Sequence, residues 1–235
     1  MFGHLDVAQW LVKQGAGVNT ETSDKYTPLS ISVAKACESN DPRYLALIKW
    51  LVSKGGAEPD ILLPHLDTTP LYLAVDKGEL EIVRALLAAG ADPNLAFNRL
   101  APEMSTCLMC ACTRGNKWMI ELLVHEGGAN VQHSAKKNGV MAIHCVAQEG
   151  HTACCEWLVL EVFSQMPPSE EAASLAARNH AGMNFLHIAV SRGHTDLVTW
   201  ICNNTDIDPE SVWGTKAEVD PRCDGLLTCC FCTVG

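Results

Sequence analysis

Apolar residues along this chain recur in blocks with helical rather than alternating spacing. The clearest block runs Leu71-Tyr72-Leu73-Ala74-Val75, stops at Gly78, and resumes as Leu80, Ile82, Val83, Leu86 and Leu87 before Gly90-Ala91-Asp92. Thr69-Pro70 ahead of it suits a helix start: the threonine can cap, and proline's missing N–H costs nothing in the first turn. The predicted unit is therefore a helix, a glycine turn, a second helix and an outgoing loop. Apolar pairs mark further second helices at Leu51-Val52, Leu122-Leu123 and Leu158-Val159, and small residues (Ala74, Ala111, Ala147, Ala189) mark first helices that must approach closely. One such unit cannot bury its own stripe, so units are expected to stack.

Register is set by Thr27, Thr69, Thr106, Met141 and Asn184, in steps of 42, 37, 35 and 43 residues. The excess over a period of about 33 residues falls at three places. They are Ala36–Pro42 between two helices, Phe97–Leu100 in a loop, and the stretch around Gln165–Glu171, which has room for an extra turn or two of helix. The chain opens in the middle of a unit, with Gly3-His4-Leu5-Asp6-Val7-Ala8-Gln9-Trp10 reading as a second helix. Trp10, Trp50, Trp157 and Trp200 precede equivalent apolar pairs and predict packing between units. Trp118 breaks that pattern, near the start of its helix, and is expected to be exposed.

Thr27-Pro28-Leu29, Thr69-Pro70-Leu71, Ile143-His144-Cys145-Val146-Ala147, Leu186-His187-Ile188-Ala189, Gly150-His151 and Gly193-His194 resemble ankyrin repeats. The resemblance covers residues 3 to about 208. It implies an all-α repeat solenoid, a stack of helix-turn-helix-loop units with short β-hairpin-like fingers. The expected boundaries are a half repeat at 1–20 and repeats at 22–63, 64–100, 101–135, 136–178 and 179–208. Residues 209–235 are left as a C-terminal cap (Pro209–Trp213) and a Cys-rich, disordered tail. The motif departs from the family at Cys107, Ala142 and Phe185 in place of proline, and at Met141 and Asn184 in place of threonine. Those last two repeats are expected to lose the Thr-to-backbone bonding of the turn.

A formal charge of −10 argues against sequence-independent phosphate binding, so nucleic acid is not an expected partner. No apolar run reaches the ~18–20 residues a membrane span needs, and the N-terminus does not read as a signal peptide. Twelve cysteines in such a chain read as reduced thiols of the cytoplasm or nucleus. Cys107, Cys110 and Cys112 have ligand-like spacing but fall on a first helix, where a free thiol packs as a small hydrophobe. Cys154 and Cys155 diverge by about 100° on a helix and do not form a ligand pair. Cys223, Cys229, Cys230 and Cys232 leave three readings open: a tail from an alternative gene end, a zinc module cut short, or S-acylation. No phosphate loop, nucleophile elbow or carboxylate pair is present, so neither catalysis nor a cofactor is expected.

The resemblance implies that partners bind at the finger loops and first-helix face. By position this gives Tyr26 and Lys35, then Thr68, Tyr72, Asp76 and Lys77, then Ser105 and Arg114. Gln148, Glu149, Met183 and Arg192 follow in the later repeats, with Trp118 as a further contact. Asn94 resembles the asparagine that oxygen-dependent hydroxylases modify in such repeats, beside its reading as a turn former. The expected function is a monomeric, non-catalytic scaffold or adaptor that binds a protein segment. The alternative is the recognition region of a larger enzyme or zinc-finger protein.

Overall fold

The computed structural model describes residues 3–39, 41–63, 68–95 and 106–207. The expectations for Phe97–Leu100, Ser105, the Pro209–Trp213 cap and the four C-terminal cysteines lie outside these residues. The described chain is helical throughout. It begins with α1 (Leu5–Lys13), then pairs α2 (Pro28–Ser39) with α3 (Pro42–Trp50), α4 (Pro70–Lys77) with α5 (Leu80–Ala88), and α6 (Cys107–Thr113) with α7 (Lys117–His125). Next come α8 (Ala142–Glu149) with α9 (Thr152–Trp157), α10 (Pro168–Ala176), and α11 (Phe185–Arg192) with α12 (Thr195–Asn204). Two second helices widen into π turns, Leu51–Gly55 after α3 and Leu158–Val162 after α9.

The chain divides into two compact units, one of residues 1–111 and 118–130, the other of 112–117 and 131–235. In the first, α2 packs beside α4 and α3 beside α5, giving a row of first helices and a row of second helices. In the second, α8 packs beside α11 and α9 beside α12. Each is a helix-turn-helix repeat stack of the ankyrin type. The expected fingers are minimal among the described residues: one antiparallel bridge, Leu63 to Thr68, and single closing bonds such as Ala135 N–H to Val140 O at 2.8 Å.

The first helices are capped as their sequences require. Thr27 Oγ1 accepts from Ser30 N at 3.2 Å while Ser30 Oγ accepts from Thr27 N at 2.9 Å, and Thr69 Oγ1 accepts from Tyr72 N at 3.1 Å. Asn184 corrects the expectation that the last repeat loses its cap: its Oδ1 accepts from His187 N at 3.0 Å, as an asparagine N-cap does. At Met141 the side chain makes no cap bond. His144 substitutes from within the helix, its Nδ1 accepting from Met141 N at 2.9 Å and its Nε2 donating to Ala177 O at 3.1 Å. The insertion around Gln165–Glu171 yields a short 3₁₀ turn (Phe163–Gln165) and the whole of α10. Ala36–Ser39, expected between helices, extend α2 instead.

The tryptophans divide. Trp157 is buried, Trp50 and Trp200 are half-buried, and Trp10 is 60% exposed, against the expectation for all four. Its helix α1 has no buried residue and packs on α3. Among the described residues the Val7–Trp10–Leu11 face has nothing stacked on it.

Neighbouring repeats are joined by side chains that satisfy backbone groups. In the first unit Asn19 donates to Gly56 O at 3.1 Å and accepts from Glu58 N at 3.0 Å. Asn94 does the same, donating to Gly128 O at 3.3 Å and accepting from Asn130 N at 2.7 Å. Asp60 stands between them and only accepts, from Asp92 N at 3.2 Å. In the second unit imidazoles serve: His151 Nε2 donates to Thr113 O and His194 Nε2 to Gln148 O, both at 2.9 Å. His194 lies against Gly150, whose φ of 75° and crowding (a Cβ would come within 2.4 Å of His194 Nδ1) leave glycine alone acceptable there.

Two predictions follow from these clamps. Partial burial holds the Asp60 carboxyl above its ordinary range, with the Asp92 N–H opposing this. Asp60→Asn supplies the donor that Asn19 and Asn94 have, a gain of about 1 kcal/mol for one hydrogen bond. The melting temperature should rise by about 2–4 °C at pH 7. Because the ionised carboxylate is the disfavoured form, that gain should shrink as pH falls through the carboxylate range. An unchanged melting temperature at pH 7 would remove this account. Burial lowers the pKa of His144, and its Nδ1 already accepts an N–H, so a proton there disrupts the cap. Its stabilising contribution should be complete above the ordinary histidine pKa of ~6.5 and be lost as pH falls through the lower, folded-state value. Thermal melts from pH 7.5 to 5 should show a shallower slope in His144→Gln than in the parent.

Candidate protein-binding face

First helices in each stack end in polar residues at the surface, while their starts and middles are buried. In the first unit Lys35 on α2 and Lys77 on α4 are exposed, the former paired with Glu38 at 2.6 Å and the latter with Asp76 at 3.2 Å. Tyr26, half-buried, sits at a finger base, its carbonyl accepting from Thr22 N at 2.8 Å. In the second unit Gln148, Glu149 and Arg192 end α8 and α11 in the same way and are exposed, as is Arg114. Met183 is half-buried and closes its finger by accepting from Asn179 N at 2.9 Å.

Not every expected contact residue is at the surface. Tyr72 is 6% exposed and Thr68 is buried, its Oγ1 without a hydrogen bond among the described residues. Both belong to the floor beneath the finger rather than to its surface. Trp118 is 72% exposed, as expected, but it is on a second helix. It lines a shallow cavity of about 320 Å3 with Leu80, Arg84 and Leu122 from α5 and α7, where Arg84 pairs with Glu126. It is thus set on the second-helix row, apart from Lys35, Asp76 and Lys77. Asn94, the hydroxylation candidate, is half-buried with its amide engaged on both sides by the next repeat. That clamping role, and those of His151 and His194, were not assigned from sequence. The Gly-His pairs were the visible signal for the histidines.

The thiols are placed to pack. Cys107, Cys110, Cys112, Cys145, Cys154 and Cys155 are all buried. Burial pushes the Cys37 thiol up to about 12, with the Glu79 carboxylate adding to the effect, and raises Cys107 and Cys155 further still. A thiol in that state supplies almost no thiolate near neutral pH, and the thiolate is the nucleophile. Among the described residues no three His, Cys, Asp or Glu side chains gather as a metal site, and no helix is long and apolar enough to cross a membrane.

Comparison with known proteins agrees with the stack. The chain is similar to the human transient receptor potential cation channel subfamily A member 1, 26% identical over 172 residues, covering 60% of this chain and 15% of that protein. It is similar to the probable E3 ubiquitin-protein ligase XBOS32 of Oryza sativa subsp. japonica, 29% identical over 150 residues, 55% of this chain and 29% of that one. It is also similar to the NF-kappa-B inhibitor alpha of Sus scrofa, 34% identical over 99 residues, 40% of this chain and 30% of that one. The matched region spans less than a third of the length of each of these relatives. The family model for ankyrin repeats in three copies matches residues 1–96, 34–135 and 108–211, so with capped helix pairs stacked in the order described, the chain belongs to the ankyrin-repeat family.

Proposed function

We propose that this chain is a non-catalytic protein-binding module whose contact surface is the finger loops and the polar ends of the first helices. Ankyrin-repeat domains generally mediate contacts between proteins. The observation that carries the reading is the distribution of chemistry: six of the eight cysteines among the described residues are buried, while the charged residues of the first helices collect at their exposed ends. A second reading rests on the relatives' lengths: the repeats serve as the recognition part of a longer protein, since the match covers only 29% of a relative named as a probable E3 ubiquitin-protein ligase. In both readings the repeats bind a protein segment, and only the attached chemistry differs.

Binding energy at such faces concentrates in few residues, with arginine prominent among them. Lys77→Ala, Arg114→Ala and Arg192→Ala together should reduce capture of the proteins that the parent retains on an affinity column by about tenfold or more. The melting temperature should change little, because exposed charges contribute about 0–1 kcal/mol each. An unchanged set of captured proteins, with folding verified by circular dichroism, would sink the proposed face. Trp118→Ala serves as the comparison: it should leave capture intact if binding is confined to the first-helix ends.

A further inference from the structure

The inserted helix α10 leaves a cavity of about 640 Å3 between itself and the end of α12, formed entirely within the second unit. Ligand-sized sites usually occupy roughly 300–1,000 Å3. Val159, Leu175 and Ile207 give the cavity apolar walls. Two carboxylates also line it, Glu171 on α10 and Asp206 just beyond α12, and neither has an ion-pair partner among the described residues. Arg178 is the one cationic side chain in that lining, and its guanidinium donates to Gly182 O at 2.6 Å. The site therefore combines apolar walls with a net negative charge, in a chain that itself carries −10.

We propose that this cavity is a second docking site, separate from the finger face, and that its occupant is a basic, amphipathic peptide segment. A lysine or arginine side chain has the required two-part character, a methylene stem that can cover apolar surface and a charged head that stays polar. The stem lies on Val159, Leu175 and Ile207, and the cation takes up the two carboxylates. An acidic segment would meet repulsion there. A purely apolar one would cover Glu171 and Asp206 without a counter-charge, which is costly. The chain's overall negative charge would also speed the approach of a basic partner. The site depends on the insertion: without α10 there is no Glu171 and no Leu175 to form it.

The test is fluorescence anisotropy of the full chain with a dye-labelled peptide of alternating leucine and lysine, beside the same peptide with glutamine for lysine. The lysine peptide should bind and the glutamine peptide should bind at least about tenfold more weakly. Glu171→Gln/Asp206→Asn should lower affinity for the lysine peptide by about tenfold. Asp24→Asn/Glu58→Gln removes the same charge from exposed positions elsewhere and should leave affinity within about twofold. Equal losses in the two double variants would mean that net charge alone attracts the peptide, and would overturn the site. Equal binding of the glutamine peptide would overturn the basic partner. Binding that emerges only in Trp213→Ser would assign the cavity to the chain's own C-terminal segment, and would overturn the proposal as well.

Discussion

The close approach of consecutive first helices is the constraint on which the stack depends. Five residues after each first-helix N-cap position stand Ser32, Ala74, Ala111, Val146 and Ala189, all at most 1% exposed. Four of the five are no larger than valine's smaller neighbours, alanine or serine, so little side chain separates the backbones. Protein interiors are close-packed, and added volume at such a place forces backbone shifts. Bulky side chains fill the core from the other positions of both rows: Leu29, Leu71, Leu108 and Phe185 on first helices, and Ile48, Leu86, Ile120 and Leu123 on second helices, are fully buried. This burial fixes which residues can vary. Starts and middles of first helices serve the stack, and their ends are available for other work.

Stacking brings loop backbones together as well, and their polar groups must be satisfied. The two units do this with different chemistry. Asparagine amides bridge repeats in the first, reading a carbonyl and an N–H at once. Imidazoles in the second each donate to a carbonyl of the preceding repeat near the end of its first helix. An amide is neutral at every relevant pH. In the same unit His144 is held neutral by burial, and its cap is tied to proton concentration. Asp60, the one carboxylate in the asparagine series, has acceptors where a donor is also wanted.

Much of this was legible in the chain because the signals repeat. Thr-Pro caps, glycine stops and apolar pairs agree locally and recur, so the helix pairs and the extra length around Gln165–Glu171 were legible. Failures came where the answer depended on what lies beside a residue rather than in it. Trp10 has the sequence context of Trp157 but, among the described residues, has nothing stacked on its outer face, so one is exposed and the other buried. Tyr72 lies in the finger-and-helix register yet is covered. Asn184 was read as a lost threonine, although an asparagine side chain caps equally well. The α10 insertion was visible as extra length, but the cavity beside it arises from contacts with α12 and left no local signature.

These observations also bear on how a binding surface can coexist with a regular scaffold. Two lysines at first-helix ends are paired on the surface, Lys35 with Glu38 and Lys77 with Asp76. Pairs so exposed to water contribute about 0–1 kcal/mol to stability, so exchanging them for partner contacts costs the fold little. Specificity can then reside in side chains that the stack does not need, which is why one repeat architecture carries many unrelated partners. The same logic separates the two proposed sites of this chain. The helix-end face is available at every regular repeat, whereas the α10 cavity exists at a single irregular junction. A partner that recognises the cavity would therefore read the insertion itself, one of the features by which this stack departs from a uniform array.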